Sequence, residues 1–514
     1  FRILEEREVL ESLKKSKCVI ALGGGAFMKK TIRDRILKDS VSIWLDVNLK
    51  TLNKRVNWNK KRPLINKEDS QIKINKADQK KLQLNLVRSH AAGVGKDLDV
   101  GIVRVAMALK LIGYARGYSG VHPDTVAQLV RFLNNDIIPV VPEKGSVGAS
   151  GDLAPLAHIA SALIGEGRVI HDNKIMPSKK MLNKMSIKPL SLKQKDGISL
   201  VNGTQVSTAI AIKSLHNCDI ILGSADAIGA ISVENSLSSR KTFQSAIHKL
   251  KKHRGQIISA KNIWKMTSNS HVISSHNDCE VVQDPYSFRC IPHGHVACRD
   301  TVSHSTQSIN NEINSVSDNP LILDNGKVAY SGHFHAEHIA LSLDSISMAM
   351  AEIGSISERR THYFMKGAEG RLPLFLANNP GIESGYMIAH VTASALVSEN
   401  KTLAHPASVD SIPTSGGQED LVSMAPWAGY KLLKIQENVT KILAIEMLIG
   451  CAAYTLFHSK LEPGNGTGSI IKRVQKIIPF SKGDRALTDE INRLANMIVS
   501  GEIVSILKKN NYLE

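Results

Sequence analysis

Residues 145–158 read GSVGASGDLAPLAH. Small side chains crowd the first half, and apolar ones follow from Leu153. The second half predicts a helix, with Asp152 placed to cap its N-terminus. The first half is a turn. Within it, Ala149-Ser150-Gly151 also admits covalent chemistry. Gly151 has no side chain, so its amide nitrogen can approach the carbonyl carbon two residues back. Attack on Ala149 with loss of water closes a five-membered imidazolone. Loss of water from Ser150 then leaves an exocyclic methylidene. The product is a strong electrophile made from the chain alone, with no external cofactor. Residue types by themselves leave both readings open, a plain turn and a ring precursor.

Outward from this stretch the texture is helical. Val100 to Ile112 repeats apolar residues at three- and four-residue steps (Ile102, Val103, Ala106, Leu109). His335 to Ile356 does so through Ile339, Leu343, Ile346, Met350 and Ile353. Leu432 to Ile449 does so through Leu432, Ile435, Val439, Ile442 and Ile445. Such stripes predict long helices packed as a bundle. Aromatic residues are only 4% of the chain, so the core must be aliphatic. Residues 1–47 differ. Glu5 to Lys15 reads as a helix, Cys18 to Leu22 and Ser42 to Val47 as strands, and 59–83 as a polar linker or lid. The expected fold is mainly α, a long-helix bundle, with a small N-terminal α/β fragment.

The formal charge is +18 over 514 residues. The basic residues are spread along the chain, with no interleaved aromatics, so we expect a solvated surface and no nucleic-acid partner. The six cysteines show no C-x-x-C pairing or zinc spacing, and no secretory signal opens the sequence. A reduced, cytoplasmic protein is expected. Ile442 to Phe457 is apolar but is interrupted by Glu446 and too short to span a bilayer, so no membrane role is expected. The sequence opens on Phe1 rather than Met, as a piece of a longer product would.

The turn sits in a series of motifs. GSVGASGDLAPLAH resembles the cofactor-forming signature of the histidine and aromatic amino-acid ammonia-lyase family. LQLNLVRSHAAGVG (82–95), RGYSGV (116–121), LVNGTQVSTA (200–209), QDPYSFRC (283–290), SVSDNPLIL (315–323), FHAE (334–337) and VDSIPTSGGQED (409–420) follow in that family's order. The resemblance runs from about Leu82 to the C-terminal residue. It implies an all-helical fold, a homotetramer with sites assembled from several subunits, and a methylideneimidazolone formed from Ala149, Ser150 and Gly151. It implies removal of ammonia from an amino acid. Asn202 and Tyr286 would be catalytic, the tyrosine as proton acceptor. His90, Gln283, Arg289, Phe334 and Glu419 would bind substrate. A guanidinium suits the substrate carboxylate through a bidentate fork. Ser89-His90 resembles the histidine lyases, and Glu419 can accept an imidazole N–H that a phenyl ring does not offer. L-Histidine is therefore the expected substrate and urocanate the expected product. His333, His335 and His338 suggest a metal cluster, but His335 belongs to the family motif and that chemistry needs no metal; none is expected.

Three departures stand out, one of them His333 in SGHFHAEH, where the family usually carries Asn. The family carries a segment like Tyr-Gly-Val-Asn-Thr-Gly-Phe-Gly well before SHAAGVG, and its tyrosine is a candidate for proton transfer; no such segment stands there in this sequence. Leu421 stands where histidine lyases often carry His. Residues 1–75 instead resemble shikimate kinase: FRILEEREVL, VIALGGGA (19–26), IWLDV (43–47), LNKRV (52–56) and KRPLI (61–65) follow its order. Gly23, Gly24 and Gly25 would match its shikimate-binding glycines and Arg62 its lid arginine. No G-x-x-x-x-G-K-[ST] loop is present, so kinase activity is not expected. The expected organisation is a partial kinase-like fragment over 1–75 and a lyase-like α domain over 76–514. Two other functions stay open: a catalytically impaired fusion or remnant, and a lyase or aminomutase acting on phenylalanine or tyrosine.

Overall fold

The computed structural model describes residues 76–277, 282–481 and 483–513. The helix expected at Glu5–Lys15, the strands expected at Cys18–Leu22 and Ser42–Val47, and Gly23, Gly24, Gly25 and Arg62 lie outside the described residues. So does the expected linker up to residue 75. Its last part is corrected: residues from Lys76 onward form a helix, because the lysine-rich stretch joins the run Leu82, Leu84, Leu86 and Val87, of which Val87 is fully buried.

The described residues are mostly helical and divide into two compact units. The first holds residues 76–211, 309–340 and 410–426. Its helices include α1 (Lys76–His90), α2 (Val100–Ala115), α3 (Pro123–Asn134), α4 (Leu153–Leu163) and α5 (Asp196–Val201). α1, α4 and α5 pack on one another, and α2 packs on α3. α2 starts where Asp99 accepts hydrogen bonds from the N–H groups of Gly101 and Ile102, at 2.9 and 3.3 Å. α3 starts with His122 capping Asp124 N and Pro123 in the first turn, where its missing N–H costs nothing. Short strands trim the unit. β1 (Val94–Asp97) pairs antiparallel with β3 (Pro142–Lys144). A three-stranded antiparallel sheet has β4 (Arg168–His171) between β2 (Ile138–Pro139) and β5 (Lys174–Pro177).

The second unit holds residues 212–308, 341–409 and 427–513 of the described chain. Its core comes from those parts of the long helices α6 (Gln205–Asn235), α7 (Ile291–Ile313), α8 (Glu337–Met365) and α9 (Ala425–Ala453) that fall within these residues; the start of α6 belongs to the first unit. The stripes read from sequence face inward: Leu343, Ile346, Met350 and Ile353 of α8, and Leu432, Ile435, Val439, Ile442 and Ile445 of α9, are fully buried. The apolar stretch from Ile442 is part of a longer helix than expected. Glu337–Met365 and Ala425–His458 are both long and apolar enough to cross a membrane. Their apolar windows are 67% and 83% buried within the protein, as core helices are. Glu446 does not interrupt α9. Its carboxylate is fully buried and accepts two hydrogen bonds from Arg360 and one each from Ser232 and Ser357, both 2.6 Å, so the charge is paired where it would otherwise break the core.

Candidate active site

The Ala149-Ser150-Gly151 turn lies in the first unit, just ahead of α4. Backbone bonds pin it on both sides. Met424 N donates to Val147 O at 2.8 Å, and Ser423 Oγ to Gly148 O at 3.0 Å. Asp152 N donates to Gly203 O at 2.8 Å, and Ser146 Oγ to Gly151 O at 3.1 Å. Gly151 has φ +76°, and a Cβ there would fall 2.2 Å from Gly203 O. Only glycine fits. The Gly151 N–H and the Ala149 carbonyl oxygen engage no hydrogen bond with the described residues.

Asp152 stands at the N-cap position, but its side chain does not cap the helix as expected. Its side chain is fully buried and makes no capping bond. It accepts instead from Ser207 N at 2.7 Å and Ser207 Oγ at 2.6 Å, because α6 begins directly beside it. Burial pushes its carboxyl up to about 6, against the pull of the Ser207 hydrogen bonds.

Glu419 reaches the turn from 269 residues away. Ser150 Oγ donates to its Oε1 at 2.7 Å, while Thr414 Oγ1 and Ser415 Oγ donate to Oε2 at 2.7 and 2.6 Å. Partial burial raises the Glu419 carboxyl; hydrogen bonds from Ser415, Ser150 and Thr414 and the nearby His90 outweigh it and hold it below the usual range. It is half-buried, and both of its oxygens accept hydrogen bonds from hydroxyl groups. His90, also half-buried, closes α1, with Nδ1 2.8 Å from Leu86 O. Asn202 ends α5 and is 3% exposed; its Oδ1 is buried with no partner among the described residues. Phe334 is half-buried. His335 Nε2 lies 3.3 Å from Leu421 O, and among the described residues no group of His, Cys, Asp and Glu is placed to hold a metal ion.

Gln283, Tyr286 and Arg289 belong to the second unit. Asp284 anchors the segment by accepting from Ser239 N at 2.8 Å. Gln283 is exposed and Tyr286 is 71% exposed at the start of the short helix Tyr286–Arg289. The Arg289 guanidinium lies 4.8 Å from the Tyr286 ring centroid, and its Nε is buried with no hydrogen-bond partner among the described residues. A face of tyrosine under a guanidinium fixes both groups.

The first unit thus brings Ser150, Glu419 and the turn together, with Asn202 beside them through Gly203. Sequence reasoning missed Lys110, Gly203 and Ser423, which hold this arrangement. Lys110 did carry a signal: it falls four residues after Ala106, on the apolar stripe of α2.

Comparison with known proteins decides the family. The model for aromatic amino acid lyases matches residues 68–476. The chain belongs to the aromatic amino acid lyase family. A histidine ammonia-lyase of Photorhabdus laumondii is 42% identical to this lyase over 445 residues, 86% of each chain. Among solved structures, a histidine ammonia-lyase from Trypanosoma cruzi superposes with a TM-score of 0.81 at 31% identity, covering 99% of this chain and 94% of that one. A tyrosine aminomutase from Streptomyces globisporus gives 0.79 at 31% identity, covering 85% and 86%. The shikimate kinase model matches residues 1–95, overlapping the start of the lyase match. The long-helix architecture expected for the lyase is the one observed.

Proposed function

We propose that this lyase is a histidine ammonia-lyase, converting L-histidine to trans-urocanate and ammonia through a methylideneimidazolone formed from Ala149, Ser150 and Gly151. The observation that carries the reading is the turn itself. Gly151 cannot be any other residue, its N–H and the Ala149 carbonyl are uncommitted, and the Ser150 hydroxyl is held by a carboxylate. These residues fit the group without any external cofactor. Once formed, it supplies an electron-poor methylidene that accepts electron density from the substrate.

The chain's own groups do the rest. Loss of the Ser150 hydroxyl leaves Glu419 Oε1 without its donor, and an imidazole N–H can take that place. A phenyl ring cannot, and an unpaired carboxylate disfavours it. Asn202 Oδ1 has acceptor capacity to spare for the substrate amine. Phe334 and His90 wall the substrate. Arg289, with an unpartnered Nε, suits the carboxylate, Gln283 orients the substrate and Tyr286 accepts the proton. The exposure of Gln283 and Tyr286 supports a homotetramer in which neighbouring subunits shield such groups from water. The free Cys218, Cys290, Cys298 and Cys451 support a reduced, cytoplasmic setting. The 1–75 region stands as a kinase-like fragment without kinase activity, with the lyase domain from residue 76.

A second reading is favoured by one observation: the family's tyrosine-bearing segment is missing ahead of Ser89. On that reading the ring forms but turnover is impaired. Ser150→Ala separates the cases. The first reading predicts that the unaltered chain loses two waters at this turn and releases urocanate, and that Ser150→Ala does neither. Urocanate release unaffected by Ser150→Ala contradicts the electrophile. A complete ring with no ammonia from histidine, phenylalanine or tyrosine establishes the impaired form.

A further inference from the structure

Lys110 is 3% exposed on the core-facing stripe of α2. A buried ammonium is retained only where its hydrogen bonds and counter-charges offset the loss of water. Its bonds go to one place. Nζ donates to the backbone carbonyl of Asn202 and, at 3.2 Å, to Gln205 Oε1. Asp318 and Asp152 supply the opposing charge, and Lys195 stands nearby as a like charge. Gln205 Nε2 passes the restraint on to Ser317 Oγ at 2.9 Å.

What Lys110 grips is the segment that backs the ring precursor. Asn202 is extended after α5, and Gly203 follows with φ +124°. A Cβ on Gly203 would lie 2.5 Å from Gln205 Oε1 and 2.8 Å from Ser317 O. Gly203 O accepts from Asp152 N at 2.8 Å, and Gly203 pairs with Gly151 as an isolated parallel bridge. The chain of restraint therefore runs from Lys110 to Asn202 O, along one peptide to Gly203, and across to Gly151-Asp152. The residue whose carbonyl is gripped also carries the buried Oδ1 that finds no hydrogen-bond partner among the described residues.

We propose that Lys110 is a positioning residue for ring formation: its ammonium holds the Asn202-Gly203 backbone against Gly151-Asp152 so that the Gly151 nitrogen is presented to the Ala149 carbonyl. This rests on the proposed function. In the step served, a bond forms between Gly151 N and Ala149 C. The Ala149 oxygen leaves as water with the protons of the Gly151 and Ser150 amides, and a C=N bond forms to Ser150 N. The Ser150 Cα proton and its hydroxyl then leave as a second water. No oxidant or other reactant is needed. Lys110 touches none of the reacting atoms. Burial holds its ammonium down to about 8, so it is charged at neutral pH and below.

The test uses the full chain and two lysines. Lys195 shares the buried Asp318 with Lys110, with Nζ 2.9 Å from Ser199 Oγ, but makes no bond to Asn202. The peptide carrying residues 145–158 is weighed from the unaltered chain, Lys110→Met, Lys110→Arg and Lys195→Met, with circular dichroism and thermal melting on each. Lys110→Met is expected to fold yet carry at least about tenfold less of the species lacking two waters, the scale of one lost charged hydrogen bond. Lys110→Arg, which keeps charge and donors, is expected to recover it, and Lys195→Met to match the unaltered chain. A complete ring in Lys110→Met, or an equal deficit in Lys195→Met, overturns the proposal. If Lys110→Met does not fold, Lys110→Gln is read in its place with the same two outcomes. An unaltered chain that loses no water contradicts the proposed function itself, and this inference with it.

Discussion

Ser150 and Glu419 meet through one hydrogen bond of 2.7 Å, and the proposed function makes what replaces it the selector of substrate. Replacing Glu419 by glutamine removes the charge that favours an imidazole N–H. A charge-assisted hydrogen bond of this kind is worth about 1.5–3 kcal/mol, so kcat/KM for histidine should fall about 10- to 100-fold while phenylalanine loses little. Steady-state kinetics on both amino acids check this; an unchanged ratio between them counts against Glu419 as the selector. Asp152 makes a pH prediction. Its folded-state value is pushed up to about 6 from an ordinary 3.8, so the folded chain holds the proton more tightly than the unfolded one. Stability therefore falls as pH rises from about 4 to about 6 and is flat in this group's contribution outside that window. Denaturant melts of the unaltered chain and Asp152→Asn across pH 4–7 should diverge in that window, the unaltered chain losing ground; parallel curves contradict the assignment. At this scale the sequence exposed the turn's chemistry because glycine and serine types carry it. It did not expose Asp152's partner or Lys110's, since both bonds depend on α6 starting beside the turn.

At the scale of elements, apolar stripes were legible because a helix in a core must repeat its buried face. α8 and α9 bury the very residues the three- and four-residue spacing picked out. Charged residues on those stripes were the harder part. Glu446 falls four residues after Ile442 and reads as an interruption until Arg360 is found opposite it, 86 residues away. The pair is fully buried, and removing one member strands the other. Arg360→Met should cost about 3–5 kcal/mol, with the double variant Arg360→Met/Glu446→Leu recovering much of the loss. Urea unfolding of the single and double variants measures the coupling; additive losses would show that the pair does not act as a unit. The N-cap reading of Asp152 failed for a related reason. A carboxylate beside a helix start caps it only if no better donor stands near, and Ser207 offers two.

On the scale of the whole molecule, the two units hold separate parts of the matched constellation, with Ser150, Asn202 and Glu419 in one and Gln283, Tyr286 and Arg289 in the other. Family membership was legible because ordered motifs carry both fold and chemistry. The exposure of Tyr286 was not, because what lies at a surface is not written in periodicity. Sedimentation should return a homotetramer, and a stable monomer with full activity would remove the need for shielding by neighbours. The +18 charge should give only weak DNA binding that disappears at moderate salt, as dispersed lysines allow. The central claim is that this chain eliminates ammonia from L-histidine. The direct measurement is product formation by the purified full chain from L-histidine, L-phenylalanine and L-tyrosine in parallel. Urocanate and ammonia appearing in equal amounts from histidine, and far faster than any product from the other two, is the predicted result. A folded chain that releases ammonia only from phenylalanine or tyrosine, or from none of the three, contradicts it.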